Sequence, residues 1–157
     1  AAQEAEVLRD EVARLATDGG SSGIEPGGLE FNPKTHGLVI SSEVLFSSGQ
    51  HELSDGGKRA LKGLVAKFRQ IVDRGSRLRI DGHTDDQPVT RSKGRYRDNW
   101  DLGFQRARTV REFLVAQGLP VESLAIGSFA DSVPIIEGTD AAARRKNRRV
   151  EIVVIDQ

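Results

Sequence analysis

Arg77-Leu-Arg-Ile-Asp-Gly-His-Thr-Asp-Asp86 is the stretch on which the reading of the fold turns. Leu78 and Ile80 fall on one face and Arg77, Arg79 and Asp81 on the other, so Arg77–Gly82 reads as a strand with one face on a core. Upstream, Ser54 is placed to cap a helix carrying Leu61, Leu64, Val65, Phe68, Ile71 and Val72 at spacings of three and four. Downstream, a loop rich in Arg and Lys leads to a second helix, about Asp98 to Gln117. Leu102, Val110, Phe113 and Leu114 point inward from it, and Gly118 and Pro120 end it. Further out, Gly37–Phe46, Leu124–Phe129 and Arg148–Ile155 read as strands, and Thr139 is expected to cap a short helix through about Lys146. The order is β-α-β-α-β-α-β, which predicts an α/β domain: a single mixed four-stranded sheet with helices packed on it.

The domain is expected to cover residues 31–157. Residues 18–30, with Asp18-Gly-Gly-Ser-Ser-Gly-Ile-Glu-Pro-Gly-Gly28, have the composition of a flexible linker. Residues 1–17 read as a helical segment. Ala1, Ala5, Leu8, Val12 and Leu15 form a two-heptad seam, either the frayed end of a longer helix or the tail of a dimerising coiled coil. The opening Ala-Ala-Gln-Glu, with neither Met nor a signal pattern, suggests a fragment whose membrane anchor lies upstream.

Composition narrows the function classes. The chain has 157 residues, 37% hydrophobic and 29% charged, and a net charge of +0, so no long-range pull on nucleic acid or anionic lipid is expected. Its lack of cysteine excludes disulfides, thiolate metal sites and cysteine nucleophiles. No apolar run approaches the roughly 18 residues that span a bilayer.

Three other sites have residues of a suitable type. His83, Asp85 and Asp86 have the donor types of a metal site, but no second cluster converges with them, and His36 and His51 read as isolated surface or packing residues. Asp85 and Asp86 would suit acid–base hydrolysis, yet neighbours on an extended chain point to opposite faces, and no nucleophile or phosphate-binding motif appears. Arg144-Arg-Lys-Asn-Arg-Arg149 has a nucleic-acid look, but it fits better as a helix end running into a strand. No metal, cofactor, catalytic residue or nucleic-acid partner is therefore expected. Arg91, Lys93, Arg95 and Arg97 read as a solvated loop face, and Trp100 as a core or helix-docking residue.

Four segments resemble the OmpA-like peptidoglycan-binding family. They are Val44-Leu-Phe-Ser-Ser-Gly49, Ile80-Asp-Gly-His-Thr-Asp85, Asn99-Trp-Asp-Leu-Gly-Phe-Gln-Arg-Ala107 and Asn147-Arg-Arg-Val-Glu-Ile152. Within it, Asp85-Asp-Gln-Pro-Val, the long loop and Asn99-Trp-x-Leu are most similar to MotB-type flagellar stator proteins. Gly103 departs from the family's usual Ser or Thr, and is expected to loosen the helix by up to about 1 kcal/mol.

The resemblance implies a non-covalent site for the diaminopimelate of the wall's stem peptide, whose free end carries an ammonium and a carboxylate. Asp85 matches the position that accepts from the ammonium, and Arg106 the one that forks onto the carboxylate. Asn99 would add a polar contact, Leu102 an apolar floor, Phe46 to Gly49 the rim and Arg148 positive charge, with Thr84 beside Asp85. Asn99, Leu102 and Arg106 lie at i, i+3 and i+7, one stripe of a helix. The implied whole is a periplasmic wall anchor of an inner-membrane protein, homodimeric and partnered with an ion-channel subunit; a Pal-like outer-membrane linker is the alternative.

Overall fold

The computed structural model describes residues 29–89 and 94–155; the expectations for residues 1–28 and for Arg91 and Lys93 lie outside them. Strand β1 (Leu29–Asn32) pairs antiparallel with β2 (Gly37–Ser41) across a turn in which His36 adopts φ 60°. One helical turn, α1 (Ser42–Leu45), leads to the long helix α2 (Asp55–Asp73). Then come β3 (Arg77–His83), α3 (Asn99–Ala116), β4 (Leu124–Ala130), α4 (Ala141–Asn147) and β5 (Arg149–Ile155). The sheet order is β1-β2-β5-β3-β4, with β3 and β4 parallel and the other pairs antiparallel.

The sheet is mixed, as expected, but has five strands rather than four. Leu29-Glu-Phe-Asn32 supplies the extra edge strand, and its first two residues fall inside the stretch read as linker. Its signal is only Leu29 and Phe31, two alternate apolar residues behind a glycine pair, yet both reach the core. Gly37–Phe46 is not one strand. The Ser41 hydroxyl accepts from the Glu43 amide (3.2 Å), turning the chain into α1 before Phe46 returns to extended backbone. The last helix is capped by Asp140, which accepts from the Ala143 amide (2.8 Å), and not by Thr139. Ser54 caps α2 as read, accepting from the Gly57 amide.

Leu38, Ile40, Leu78, Ile80, Val150, Ile152 and Val154 form the covered face of the sheet, against Leu61, Leu64, Phe68 and Ile71 of α2 and Val110 and Leu114 of α3. Each fully buried aliphatic side chain contributes about 1.5–3 kcal/mol. Gly103, expected to loosen α3, instead lets it lie on β3. A Cβ on Gly82 would sit 2.0 Å from the Gly103 carbonyl oxygen, and one on Gly103 would sit 3.1 Å from that of Gly82. Two residues without side chains are what bring the helix's first turns down to the end of the strand.

The opposite face carries a buried polar layer. Glu151 accepts from Arg149 Nε (2.6 Å), Thr35 Oγ1 (2.6 Å) and Asn32 Nδ2 (3.1 Å), while Arg79 forks onto Asp81 beside it. His83 belongs to this layer. Its ring stacks on Phe129 at 5.2 Å, Nδ1 has no hydrogen-bond partner among the described residues, and Nε2 stands 4.0 Å from Glu151. Burial first, and the charges of Arg149 and Arg79 after it, push its pKa down from 6.5 to about 4. The folded chain therefore refuses a proton that the unfolded chain accepts, so the His83 contribution is complete above 6.5 and is lost as pH falls towards about 4. The urea midpoint should drop across that window, and His83→Phe should flatten the drop; an equally steep profile in the variant would contradict this assignment.

Candidate functional site

A hollow of about 670 Å³ opens where the end of β3, the start of α3, the α1 turn and the approach to β5 meet. Asp85, Arg106, Asn99, Leu102, Arg148, Thr84, Phe46 and Gly49, named from four separate parts of the sequence, all line it. Ser42, Glu43, Gln87, Pro88 and Val89 line it too. These went unnoticed because the α1 turn was read as strand and the loop after Asp86 has no periodicity to place it.

Arg106 comes up from the inner face of α3 and is only 5% exposed. Its Nε donates to the Gln50 carbonyl (2.9 Å), and its guanidinium lies over the Phe46 ring, 5.2 Å from the centroid. Among the described residues no carboxylate lies within ion-pair distance of it. Loss of solvent pulls its pKa down to about 10, although the nearby Tyr96 and Asp85 hold it up. A cation kept from water without a counter-ion is costly, and an anion entering the hollow would relieve that cost.

Asp85 faces the same hollow but does not pair with Arg106. Its Oδ1 accepts from the Gln87 amide (3.0 Å) and its Oδ2 from Arg148 NH1 (2.7 Å). The Arg148 NH2 reaches Glu43 at 3.3 Å. Arg148 is thus more than diffuse positive charge: it occupies the acid. Asn99 uses its amide nitrogen to hold the loop, donating to the carbonyls of Gln87 (3.0 Å) and Asp85 (3.4 Å). Leu102 is buried one turn on, and Gly49 takes φ 69° at the rim. Ser42, on the lining, has a buried hydroxyl with no partner.

The rival sites come apart. His83 is in the far polar layer, Asp85 in the hollow, and Asp86 on Arg144 at 2.8 Å. Among the described residues no three metal-ligand side chains cluster. The basic run is met by carboxylates: Arg144 by Asp86, Arg145 by Glu43, Arg148 by Asp85 and Arg149 by Glu151. Arg95 pairs with Glu52, and the His51 ring contacts the Tyr96 hydroxyl at 2.6 Å. Trp100 is no core residue; it is 50% exposed on α3. No described helix is long and apolar enough to cross a membrane.

Comparison with known proteins agrees with this fold. The fold matches a putative MotB-like protein from Desulfovibrio vulgaris with a TM-score of 0.81 at 26% identity, covering 99% of this chain and 96% of that one. Over 116 residues the chain is 39% identical to the peptidoglycan-binding protein ArfA of Mycobacterium tuberculosis, covering 74% of this chain and 33% of ArfA. It is 30% identical over 103 residues to the peptidoglycan-associated lipoprotein of Pseudomonas aeruginosa, covering 66% and 58% respectively. The chain spans about half the length of the curated relatives it matches (47% and 58% for two of them). Residues 45–148, which hold the second and third motifs whole, the first from Leu45 on and Asn147 and Arg148 of the fourth, match the OmpA family, and the chain belongs to it.

Proposed function

We propose that this domain holds peptidoglycan without covalent bonds, by clasping the free end of the stem peptide's diaminopimelate. The observation that carries the reading is Arg106: a buried guanidinium facing a hollow, with no carboxylate of the described residues within ion-pair distance and with Asp85 on the same wall. A zwitterionic side-chain end offers the missing anion and a cation for Asp85 together. Planar guanidinium suits the carboxylate because it bonds both oxygens at once. A few charge-assisted hydrogen bonds of about 1.5–3 kcal/mol each, less the cost of ordering the ligand, give micromolar to millimolar affinity per site. Anchoring then rests on dimerisation and avidity.

In this reading the domain is the periplasmic anchor of a membrane complex. The likeness to a MotB-like protein favours a stator subunit, partnered in full length by an inner-membrane ion-channel subunit. The likeness to a peptidoglycan-associated lipoprotein supports the second reading, an outer-membrane linker with the same hollow. A transmembrane helix bearing an Asp upstream would favour the first, and a lipidated Cys the second. The domain should sediment with purified sacculi, leave them undegraded, and stay in the supernatant as Asp85→Ala. Release of soluble wall fragments, or sedimentation of the variant at the wild-type level, would overturn the proposal.

A further inference from the structure

The carboxylate that a ligand's ammonium must take is already occupied. Arg148 NH1 lies 2.7 Å from Asp85 Oδ2, while NH2 of the same guanidinium lies 3.3 Å from Glu43 Oε1. We infer that Arg148 is a built-in competitor for the ligand's ammonium, that it withdraws onto Glu43 when the hollow fills, and that this exchange sets a threshold which a side-chain end bringing a carboxylate for Arg106 clears and a simple amine does not. The inference rests on the proposed diaminopimelate site and says how entry to that site is controlled.

The geometry suits an exchange. Arg148 stands at the mouth, part exposed, between two carboxylates that it already touches, so transfer needs a small rotation and not a backbone change. Asp85 stays aimed when Arg148 leaves, because the Gln87 amide holds its other oxygen at 3.0 Å. Glu43 is also held by Arg145, whose Nε lies 3.3 Å from the same oxygen, Oε1. Arg106 does not take the place of Arg148 here: its Nε donates to the Gln50 carbonyl at 2.9 Å, and the ion pair of Asp85 is with Arg148.

The energetics then set a threshold. A ligand bringing only an ammonium trades one ion pair at Asp85 for another of like strength, so its affinity is reduced by the fraction of time Arg148 blocks the acid. A ligand with a carboxylate beside the ammonium meets the same reduction but also neutralises the buried Arg106, and that added pair leaves it with useful affinity after Arg148 is displaced. Competition by the resident group thus lowers both affinities by one factor and leaves the preference between them to Arg106.

The test is a calorimetric double-mutant cycle on Glu43→Gln and Arg148→Gln. It uses two stem peptides that differ only in carrying meso-diaminopimelate or lysine, with that residue's α-groups closed in peptide bonds. Arg148→Gln should tighten both peptides by about three- to fivefold, the scale of one partly exposed ion pair, and leave the preference for diaminopimelate unchanged. Glu43→Gln should weaken the diaminopimelate peptide by a similar factor in the wild-type background and have no effect beside Arg148→Gln. If Arg148→Gln weakens both peptides as Asp85→Ala does, Arg148 is a plain ligand contact and the exchange is refuted. Additive effects of the two substitutions refute it as well. Failure of the wild-type domain to bind the diaminopimelate peptide at all would instead reject the underlying site, and the exchange with it.

Discussion

Gly82→Ala is expected to cost roughly 3 kcal/mol or more of stability, a large share of the 5–15 kcal/mol typical of a domain. The added Cβ would lie 2.0 Å from the Gly103 carbonyl oxygen and 2.6 Å from its carbon. Those atoms belong to the helix backbone, so no side chain can swing aside. Helix α3 would have to lift from β3, opening the packing of Ala107, Val110 and Leu114 behind it. Gly103→Ala should cost less. Its nearest obstacle is the Ser128 hydroxyl at 2.5 Å, which can rotate, and the gain in helix propensity of about 1 kcal/mol works in its favour. Urea unfolding checks both. A Gly82→Ala midpoint close to wild type, or a larger loss from Gly103→Ala, would contradict the close crossing.

The same crossing shows where sequence reasoning reached and where it stopped. Leu78 and Ile80 place β3, Ser54 places the start of α2, and both readings hold because local periodicity and capping are short-range effects. Gly103 was read as a weakness because its partner, Gly82, lies 21 positions back along the chain; only the tertiary contact reveals it. Thr139 and Asp140 are both good caps, and local pattern cannot choose between them. Burial of the polar layer escaped notice for a similar reason. Arg149 and Glu151 look like the solvent side of an amphipathic strand, and they are buried only because Asn32, Thr35 and the Val133 carbonyl converge on them.

In the candidate site, the list of residues was legible and their pairing was not. Motifs placed Asp85, Asn99, Leu102, Arg106 and Arg148 together, and the hollow assembles all of them. The partner of Asp85 is Arg148 rather than any group on α3, and Asn99 holds the loop besides lining the hollow. Trp100 went astray because aromatic character alone does not distinguish the inside of a helix from its outside; it precedes Asp101 and Leu102, and the buried stripe runs through Leu102 and Arg106.

Replacing Arg106 should separate stability from binding more sharply than any other change. Arg106→Gln keeps most of the side-chain volume but removes a charge that has lost its solvent and has no carboxylate partner among the described residues. Folding stability should therefore hold or rise, as it often does when a buried charge is replaced by a neutral group. Ligand affinity should fall by about a hundredfold, the worth of one bidentate charge-assisted contact of roughly 3 kcal/mol. A variant that folds at least as well and binds far worse marks a residue kept for its ligand.

Calorimetric titration of the wild-type domain and Arg106→Gln with the diaminopimelate and lysine stem peptides tests the claim most directly. The wild type should prefer the diaminopimelate peptide by at least about tenfold, and Arg106→Gln should bind both peptides equally weakly. Equal affinity of the wild type for the two peptides, or a preference that survives in Arg106→Gln, would show that the buried guanidinium does not take the ligand's carboxylate.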